Sequence, residues 1–403
     1  MEREETLLYA LKWPSSNPFF AAILIALTLG TASAPLAWTY TTGNYLWAVA
    51  VSRDGRYAIA GSDDMRAYFF NTKSAEGEPL WSHAAHGYVR DVAISRNGTR
   101  AAASDTDGNV FFFRRPDLSG EPVWSYRSDY PIEALAMSEE GDYLVAGDRA
   151  GSVYLFKTGL TEPLIMKSMI PGGVLALSLS KSNAVAATSA SGGLYFFSEA
   201  SSPSYVWSFQ EYATFPYLAM GRDAGYIVAA GSGGYVYMIN SSGQLMDRQS
   251  LGGAVSALAV SYRAHLVVAG SANGRVSLYR LSDRLEKLSS LEARRPVTSA
   301  ALSDDGERIS VATLDGVISM FDQSLTDKIW TFNAGAIVHS LSISADGRIM
   351  AAGSDTGSIY LFDETSVRSG RIVSYLVLAA VAVIAIVAGF AIWRKRRKRI
   401  AEI

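Results

Sequence analysis

A unit of about 42 residues recurs eight times in this sequence and constrains the fold more than any other feature. The clearest copy, at residues 338–363, reads VHSLSISADGRIMAAGSDTGSIYLFD. Its three runs of β-branched and aromatic residues are separated by Asp-Gly and Thr-Gly turns, a pattern typical of antiparallel hairpins. Each copy carries a small residue six positions after its apolar start: Ser52, Ser95, Ser138, Ser180, Gly221, Ser261, Ser303 and Ser344. A spacing of 40 to 43 residues with about four strands per repeat predicts the blades of a β-propeller.

A fourth, outermost strand follows most of the three-strand units and often contains tryptophan. Its clearest examples are LWSH at 80–83, VWSY at 123–126, VWSF at 206–209 and IWTF at 329–332. The last unit has no such strand after it, whereas LAWTY at 36–40 has no unit before it. We therefore expect residues 36–40 to complete the last blade and leave no bare sheet edge. The predicted fold is all-β, a closed eight-bladed propeller over residues 36–364.

The strands within each unit have distinct compositions that predict how the blades pack. The first strand lines the central channel, and the second is small and apolar, which lets neighbouring sheets approach closely. The third ends in a large apolar side chain that we expect between blades: Phe70, Phe113, Phe156, Phe197, Ile239, Tyr279, Phe321 and Phe362. Burying each of these is worth about 1.5–3 kcal/mol. The outer-strand tryptophan is expected to cover the same gap.

The first 35 residues carry a short apolar run that predicts passage across a membrane. Residues 19–30, FFAAILIALTLG, are followed by Thr-Ala-Ser-Ala-Pro. This pattern is typical of a secretory signal peptide. The alternative is an uncleaved N-terminal transmembrane segment, because no charge interrupts the chain from Trp13 to Ser52 and the stretch from Pro18 to Trp38 is nearly long enough to span a bilayer.

The C-terminal end predicts a transmembrane helix. Residues 372–393 contain no charge and would form a helix of roughly 33 Å. A linker at 365–371 precedes this segment and a basic tail at 394–403 follows it. The flanking cations are Arg371, Arg394, Lys395, Arg396, Arg397, Lys398 and Arg399. Because the more basic side of a span is usually cytoplasmic, we expect a plasma-membrane protein with the propeller outside and the tail in contact with lipid.

Composition excludes several classes of function. Between Thr39 and Gly370 there are 27 Lys and Arg against 34 Asp and Glu, a balance of −7. Nucleic-acid binding is not expected, since it requires a basic face. The chain has no cysteine, so disulfides, thiol nucleophiles and cysteine-based metal sites are absent.

The eight units resemble the repeats of WD-repeat propellers in their Asp-Gly turns, Ala-Gly-Ser second strands and Phe-Asp strand ends. The Gly-His dipeptide and the Trp-Asp ending of that family do not occur here. Gly77 followed by Trp81, and Gly120 followed by Trp124, are similar instead to the Gly-x-x-x-Trp docking motif of propellers related to pyrroloquinoline-quinone proteins. This second resemblance implies either a quinone-dependent dehydrogenase or a non-enzymatic, membrane-associated assembly scaffold.

The polar residues of the sequence favour the scaffold over the enzyme. The predicted channel strands are mostly apolar or small, with Asp91, Glu133 and His339 as the few polar members. His83 and His86 have a spacing that can bind metal, but no third ligand is near them in sequence, and a surface loop is the preferred interpretation. The acidic groups near the blade turns are interpreted as ordinary turn residues. We therefore predict no enzyme activity, no cofactor and no metal.

Aromatic residues in the loops before the innermost strands, together with one at a strand entry, are the candidate partner-binding residues: Tyr45, Tyr88, Tyr130 and Tyr212 in the loops, and Phe215 at the strand entry. Uncharged exposed aromatics are common in binding patches, although they could simply cap the strand ends. Asn97 and Asn240 lie in glycosylation sequons. The predicted function is a scaffold subunit that binds other membrane or envelope proteins. The alternatives are a surface sensor or adhesion domain that binds peptide or saccharide, and the dehydrogenase.

Overall fold

The computed structural model describes residues 33–115, 119–159, 164–198, 204–221, 223–261 and 263–365. These residues form eight antiparallel sheets of four strands each. In each blade the innermost strand is followed by a second, a third and an outermost strand, and contacts between innermost strands link neighbouring blades around the ring, including blade 8 to blade 1. The prediction of an all-β, eight-bladed propeller is therefore confirmed.

Each blade is built of four strands in order from the innermost strand outward. Blades 1 and 2 contain β2 (Leu46–Val51), β3 (Tyr57–Ser62), β4 (Arg66–Asn71), β5 (Pro79–Ala84), β6 (Val89–Ile94), β7 (Arg100–Asp105), β8 (Asn109–Arg114) and β9 (Trp124–Arg127). Blades 3 and 4 contain β10 (Ile132–Met137), β11 (Tyr143–Asp148), β12 (Ser152–Lys157), β13 (Leu164–Met169), β14 (Val174–Leu179), β15 (Val185–Ser189), β16 (Gly193–Phe197) and β17 (Trp207–Gln210). Blades 5 and 6 contain β18 (Tyr217–Met220), β19 (Tyr226–Ala230), β20 (Tyr235–Asn240), β21 (Leu245–Ser250), β22 (Val255–Ser261), β23 (Leu266–Ser271), β24 (Arg275–Leu281) and β25 (Leu285–Glu292). Blades 7 and 8 contain β26 (Val297–Leu302), β27 (Arg308–Thr313), β28 (Val317–Asp322), β29 (Lys328–Asn333), β30 (Val338–Ile343), β31 (Ile349–Ser354), β32 (Ser358–Asp363) and β1 (Leu36–Thr41).

The ring closes through the N-terminal strand. β1 pairs with β32 in antiparallel register, with Leu36 opposite Phe362 and Thr41 opposite Ser358. Blade 8 therefore takes its outermost strand from the start of the chain, as the repeat pattern predicts. A membrane span that reaches Trp38 is incompatible with this arrangement, because Trp38 is buried in the propeller.

The small residue that marks each repeat fixes the turn between the first and second strands. In five blades it is a buried serine whose Oγ accepts the backbone N–H five residues later, as in Tyr57 N–H to Ser52 (3.0 Å) and Ile349 N–H to Ser344 (3.1 Å). In blade 1 the same hydroxyl donates to Asp54 (2.7 Å). A buried hydroxyl with both donor and acceptor satisfied stabilises the turn, which explains why serine recurs there.

Tryptophans of the outermost strands lock neighbouring blades together. Trp81 of blade 1 packs against Phe113 of blade 2, with a ring-centroid distance of 4.5 Å, and Trp330 of blade 7 packs against Phe362 of blade 8 at 4.9 Å. Trp38 and Trp124 make the equivalent contacts with the third strands of blades 1 and 3. The predicted covering of the inter-blade gap by tryptophan is confirmed at these junctions.

A glycine of the adjacent blade packs closely against the indole ring of some of these outermost-strand tryptophans. A Cβ added to Gly77 would lie 2.8 Å from the ring of Trp38, and a Cβ added to Gly243 would lie 2.7 Å from the ring of Trp207. Both glycines have positive φ, +71° and +82°, which favours glycine independently of the available space. The glycine and tryptophan of each contact therefore belong to adjacent blades.

The predicted membrane segments lie outside the described residues: the N-terminal apolar run, the helix at 372–393 and its basic flanks from Arg371 to Arg399. Within the described residues, no helix has the length and apolar character needed to cross a bilayer.

Candidate functional site

The propeller has two faces with different loops. We call the upper face the one that carries the loops from each outermost strand to the next innermost strand, together with the turns between second and third strands. The lower face carries the other two sets of turns. On the upper face each loop is tied to the turn beside it by one backbone hydrogen bond, as in Asp63 N–H to the Tyr45 carbonyl (2.9 Å) and Thr106 N–H to the Tyr88 carbonyl (3.0 Å). The upper-face loops therefore project side chains from a fixed backbone.

Four of the five predicted partner-binding residues are exposed on the upper face. Tyr45, Tyr88 and Tyr130 precede the innermost strands of three consecutive blades and are about half exposed. Tyr212 precedes blade 5, is fully exposed, and borders a cavity of about 540 Å³ between the loops of blades 4 and 5. Their role in binding remains a prediction.

Phe215 is not an exposed residue, so the expectation for this side chain is wrong. It is completely buried and packs edge-on against Tyr237, with ring centroids 5.3 Å apart. Its backbone carbonyl accepts a hydrogen bond from the hydroxyl of Thr188 in blade 4 (2.6 Å). Phe215 holds the apolar position that starts every innermost strand, and that position faces the core.

A cluster of rings and charges around Trp47 is the most developed feature of the upper face. The Arg90 guanidinium lies over the indole at 4.4 Å from its centroid, and the rings of His339 and Tyr45 lie at 5.0 and 6.3 Å. Burial lowers the pKa of His339, and the Asp355 carboxylate acts in the opposite direction. We call these five residues the Trp47 cluster.

The Trp47 cluster contains buried polar atoms that have no protein partner among the described residues. Nε1 of Trp47 and Oδ1 of Asp355 are both inaccessible to solvent, yet neither takes part in a hydrogen bond there. A buried donor or acceptor without a partner costs about 1–3 kcal/mol. Because neither atom is open to solvent, a ligand could hydrogen-bond to them only if the side chains around them moved.

Trp47 and Arg90 are not among the site residues predicted from the sequence. Both directly follow the apolar residue that starts an innermost strand, a position that faces the upper mouth of the channel. In blades 4 to 7 the same position holds Leu175, Pro216, Ser256 and Thr298, whereas in blades 8, 1, 2 and 3 it holds His339, Trp47, Arg90 and Glu133. An alignment of the eight repeats at this position would have shown that aromatic and charged residues occur in four consecutive blades only.

Ion pairs of one arginine extend across part of the lower mouth of the channel. The Arg53 guanidinium, from blade 1, pairs with Glu139 of blade 3 at 2.9 Å and with Asp304 of blade 7. The side chain of Arg53 therefore lies across the opening. Backbone hydrogen bonds also join neighbouring turns there, such as Ala345 N–H to the Arg53 carbonyl (2.9 Å). A ligand that contacts the channel would approach from the upper face.

Asp91 is the polar residue deepest in the channel wall, and its role is structural. Its carboxylate accepts the backbone N–H of Leu135 in blade 3 (2.7 Å) and of Val92 (2.9 Å). An innermost strand has one edge whose backbone N–H groups have no partner strand. Asp91 accepts a hydrogen bond from one such N–H group in the neighbouring blade. Ser340 likewise accepts the N–H of Val49 (3.2 Å). Burial raises the pKa of Asp91 to about 6.

The histidine pair and the sequons lie away from this cluster. His83 belongs to strand β5 and not to a loop; its Nδ1 lies 3.0 Å from the Gly120 carbonyl and burial lowers its pKa. Among the residues that the structure describes, no group of three or more His, Asp or Glu side chains could hold a metal. Asn97 is exposed in a lower-face turn, and Asn240 ends strand β20.

Comparison with known proteins agrees with the repeat assignment. The family described as WD domain, G-beta repeat matches residues 37–71, 77–114 and 327–363. The first of these ranges runs from β1 through β4, so it contains the closing strand of blade 8 and three strands of blade 1. The chain thus contains WD40 repeats arranged in an eight-bladed propeller.

Two curated proteins share partial sequence similarity. Autophagy-related protein 18 of Dictyostelium discoideum is 33% identical over 135 residues, which cover 32% of this chain and 36% of that protein. WD repeat-containing protein SL1-17 of Schistosoma mansoni is 28% identical over 116 residues, covering 29% and 38%. The chain therefore spans little more than a third of the length of the curated relatives it matches.

Solved propellers share the fold across most of the chain. The structure of Chaetomium thermophilum Sqt1 bound to the N-terminus of the ribosomal protein L10 superposes with a TM-score of 0.72 at 14% identity, covering 82% of this chain and all of that one. At this identity the similarity establishes the fold alone.

Proposed function

We propose that this protein is a membrane-anchored propeller that acts outside the cytoplasm as a protein-interaction scaffold, with the upper face as its binding surface. The observation that carries the proposal is the Trp47 cluster, which gathers the exposed ring of Tyr45, the partly buried rings of Trp47 and His339, and charged groups on one half of that face. Aromatic and arginine side chains in a fixed, partly desolvated setting are the usual energetic centres of protein interfaces. The tyrosines at 45, 88 and 130 extend the same half of the face.

The positions of the chain ends support the choice of face. The chain starts β1 and finishes β32 at the lower end of blade 8, since Leu36 lies opposite Phe362. Six residues separate Thr365 from the predicted helix at 372–393, and an extended chain of six residues spans at most about 20 Å. A helix anchored in a bilayer would therefore hold the lower face towards the membrane and leave the upper face open to partners.

The solved propellers give further support for a binding role. The Chaetomium thermophilum Sqt1 structure shows a protein of similar fold bound to the N-terminus of the ribosomal protein L10. We propose by this analogy that the partner presents a loop or terminus to the Trp47 cluster. Membrane or envelope proteins are the proposed partners because of the predicted anchor.

The proposal is tested by purifying the full-length chain in mild detergent and identifying co-purifying proteins by mass spectrometry. We expect a partner at fixed stoichiometry with the wild-type chain. A double variant, Trp47→Ala with Arg90→Ala, should lower recovery of that partner at least about tenfold, because both side chains belong to the cluster. The intact mass would also show whether the segment before Leu36 is retained.

The matched control changes the same strand position on the other half of the ring. Ser256→Ala with Thr298→Ala should retain the partner at wild-type recovery. A chain that purifies alone would contradict the scaffold and favour the sensor or adhesion alternative. Equal loss in both double variants would contradict the assignment of the site to the Trp47 cluster.

A further inference from the structure

The junction between blades 6 and 7 differs from five other blade junctions because its outermost strand contributes no aromatic or imidazole side chain. At those five junctions the outermost strand contributes an aromatic or imidazole ring two residues after its tryptophan, so that two rings point towards the next blade: Trp38 and Tyr40, Trp81 and His83, Trp124 and Tyr126, Trp207 and Phe209, and Trp330 and Phe332. The strand register places Ser289 and Leu291 of β25 at these two positions in blade 6.

The facing strand of blade 7 is also short of one ring. The third strands of blades 1, 2, 3, 5 and 8 carry a ring two residues before their last large apolar side chain: Tyr68, Phe111, Tyr154, Tyr237 and Tyr360. In blade 7 this position is Ser319, followed by Phe321. The junction therefore lacks three ring side chains that the other five contain.

A groove of about 740 Å³ lies at this junction, and two of the three positions without a ring, Leu291 and Ser319, line it. It runs from the upper-face turn at Asp315 to the lower-face turn at Thr326, and Leu291, Ser319 and Phe321 line it between these ends. Its volume lies in the range of sites that hold small ligands and peptide side chains. The two other junctions without tryptophan are covered differently: Tyr205 packs on Tyr195 at 5.0 Å in one, and Asp247 accepts the backbone N–H of Leu285 (2.9 Å) in the other.

The rim of the groove is positively charged. Arg294, Arg295 and Lys328 line it, and among the described residues no carboxylate lies within ion-pair distance of any of them. Of the two acidic lining residues, Glu292 is paired with Arg275 at 2.8 Å. Complementary charge on a ligand would therefore be negative.

We propose that this groove binds an extended segment of a partner protein that carries tryptophan and a second aromatic residue two positions later, flanked by acidic residues. Residues two apart on an extended strand point to the same side, which matches the two vacant ring positions. The indole would stack on Phe321 as Trp330 does on Phe362, but only after Lys328 moves aside, because Phe321 is 6% exposed and the Lys328 Nζ lies 5.6 Å from its ring centroid. The acidic flanks would lie against Arg294, Arg295 and Lys328.

Comparison with the junctions that contain tryptophan also predicts a hydrogen-bond acceptor for the indole N–H of the partner. Trp38 and Trp207 donate to the carbonyls of Thr72 (3.4 Å) and Ser241 (2.8 Å), each of which directly follows the third strand of the next blade. Gln323 holds this position in blade 7, directly after β28. Blade 7 therefore has, next to the groove, the backbone position that accepts the indole N–H at the junctions of Trp38 and Trp207.

The test uses a fluorescein-labelled peptide with the sequence Ile-Trp-Thr-Phe, copied from β29, flanked on each side by two glutamates. Fluorescence anisotropy with the full-length chain in detergent should show saturable binding. Replacing both aromatic residues of the peptide by alanine should abolish binding, and replacing the glutamates by lysines should weaken it at least about tenfold. Absence of saturable binding by the original peptide would overturn the proposal.

Variants that fill the groove distinguish it from other surfaces. Ser289→Trp restores the missing indole, and Ser319→Tyr restores the missing ring on blade 7. Either variant should weaken peptide binding at least about tenfold while the thermal midpoint stays equal or rises, because a cavity is filled. Leu288→Trp, on the exposed side of the same strand, is the matched control and should bind like wild type.

Two other results would assign the groove differently. Wild-type affinity in both folded groove-filling variants would place the peptide elsewhere and overturn the proposal. Ser33, the first residue that the structure describes, pairs in parallel with Thr331 of β29 in blade 7. Binding that appears only after residues 1–32 are removed would mean that this chain's own N-terminal segment occupies the groove, which would equally overturn it.

Discussion

Asp91 shows how one side chain can carry a structural role at an electrostatic cost. Its carboxylate satisfies a backbone N–H of the neighbouring blade, yet burial disfavours its charged form and raises its pKa to about 6, from a usual value near 4. Between these two pH values the folded protein binds a proton more readily than the unfolded chain. The contribution of Asp91 to stability therefore falls as the pH rises from about 4 to about 6.

Asp91→Asn should remove this dependence. The amide oxygen can still accept the Leu135 N–H, but no buried charge forms at neutral pH. We expect the variant to match or exceed wild-type stability at pH 7, with a difference that grows between pH 4 and pH 6 and is on the order of 2 kcal/mol. Urea unfolding at several pH values measures it. A difference that is constant with pH would contradict the assignment, and Asp91→Ala, which loses the acceptor, should be destabilised at every pH.

At the scale of the strand, the outermost-strand tryptophans should differ in their importance. Trp330 is 4% exposed, stacks on Phe362 and donates to Glu364 (3.2 Å), whereas Trp207 is only half-buried. We expect Trp330→Ala to lower the free energy of unfolding by about 3–5 kcal/mol, and Trp207→Ala by distinctly less. Urea denaturation of both variants provides the comparison. Equal losses would show that the packing around the two indoles is energetically equivalent.

The sequence predicted the strands well because each repeat carries the same periodic pattern and the same turn residues. It also located the large side chains between blades, such as Phe113 and Phe362, since they end strands at fixed positions. It failed at Phe215, although the repeat spacing places this residue at the apolar start of the fifth unit, six residues before Gly221, and that position faces the core. The Trp47 cluster was missed because its members come from blades 8, 1 and 2 and meet only when the ring closes.

The same limit applies to the groove between blades 6 and 7. The sequence shows that β25 has no tryptophan, but not that Leu291 and Ser319 line the same groove. That fact depends on strand register and on the bulge between Leu278 and Tyr279, which shifts the pairing. The missing aromatic residues at this junction indicate a groove only when the junction is compared with the other seven.

At the scale of the whole molecule, the orientation proposed for the propeller can be tested because the chain contains no cysteine. Single cysteines at Tyr88 on the upper face and Glu140 on the lower face should both react with a membrane-impermeant maleimide added to intact cells. Tyr88→Cys should react faster, since the lower face is proposed to lie near the bilayer. Lys398→Cys, in the predicted cytoplasmic tail, should react only after permeabilisation. Protection of Tyr88→Cys in intact cells would contradict an exterior propeller.

The closing strand pair also sets the order in which the protein can fold. Thr41 and Ser358 meet in the last blade although they are 317 residues apart in the chain. Contacts of such long sequence separation form late and slowly. During synthesis the strand β1 must therefore remain without its partner until blades 1 to 7 have emerged, and the final docking is the slowest step we expect in refolding kinetics. Until that step is complete, the unpaired edges of β1 and β32 are the surfaces most exposed to aggregation.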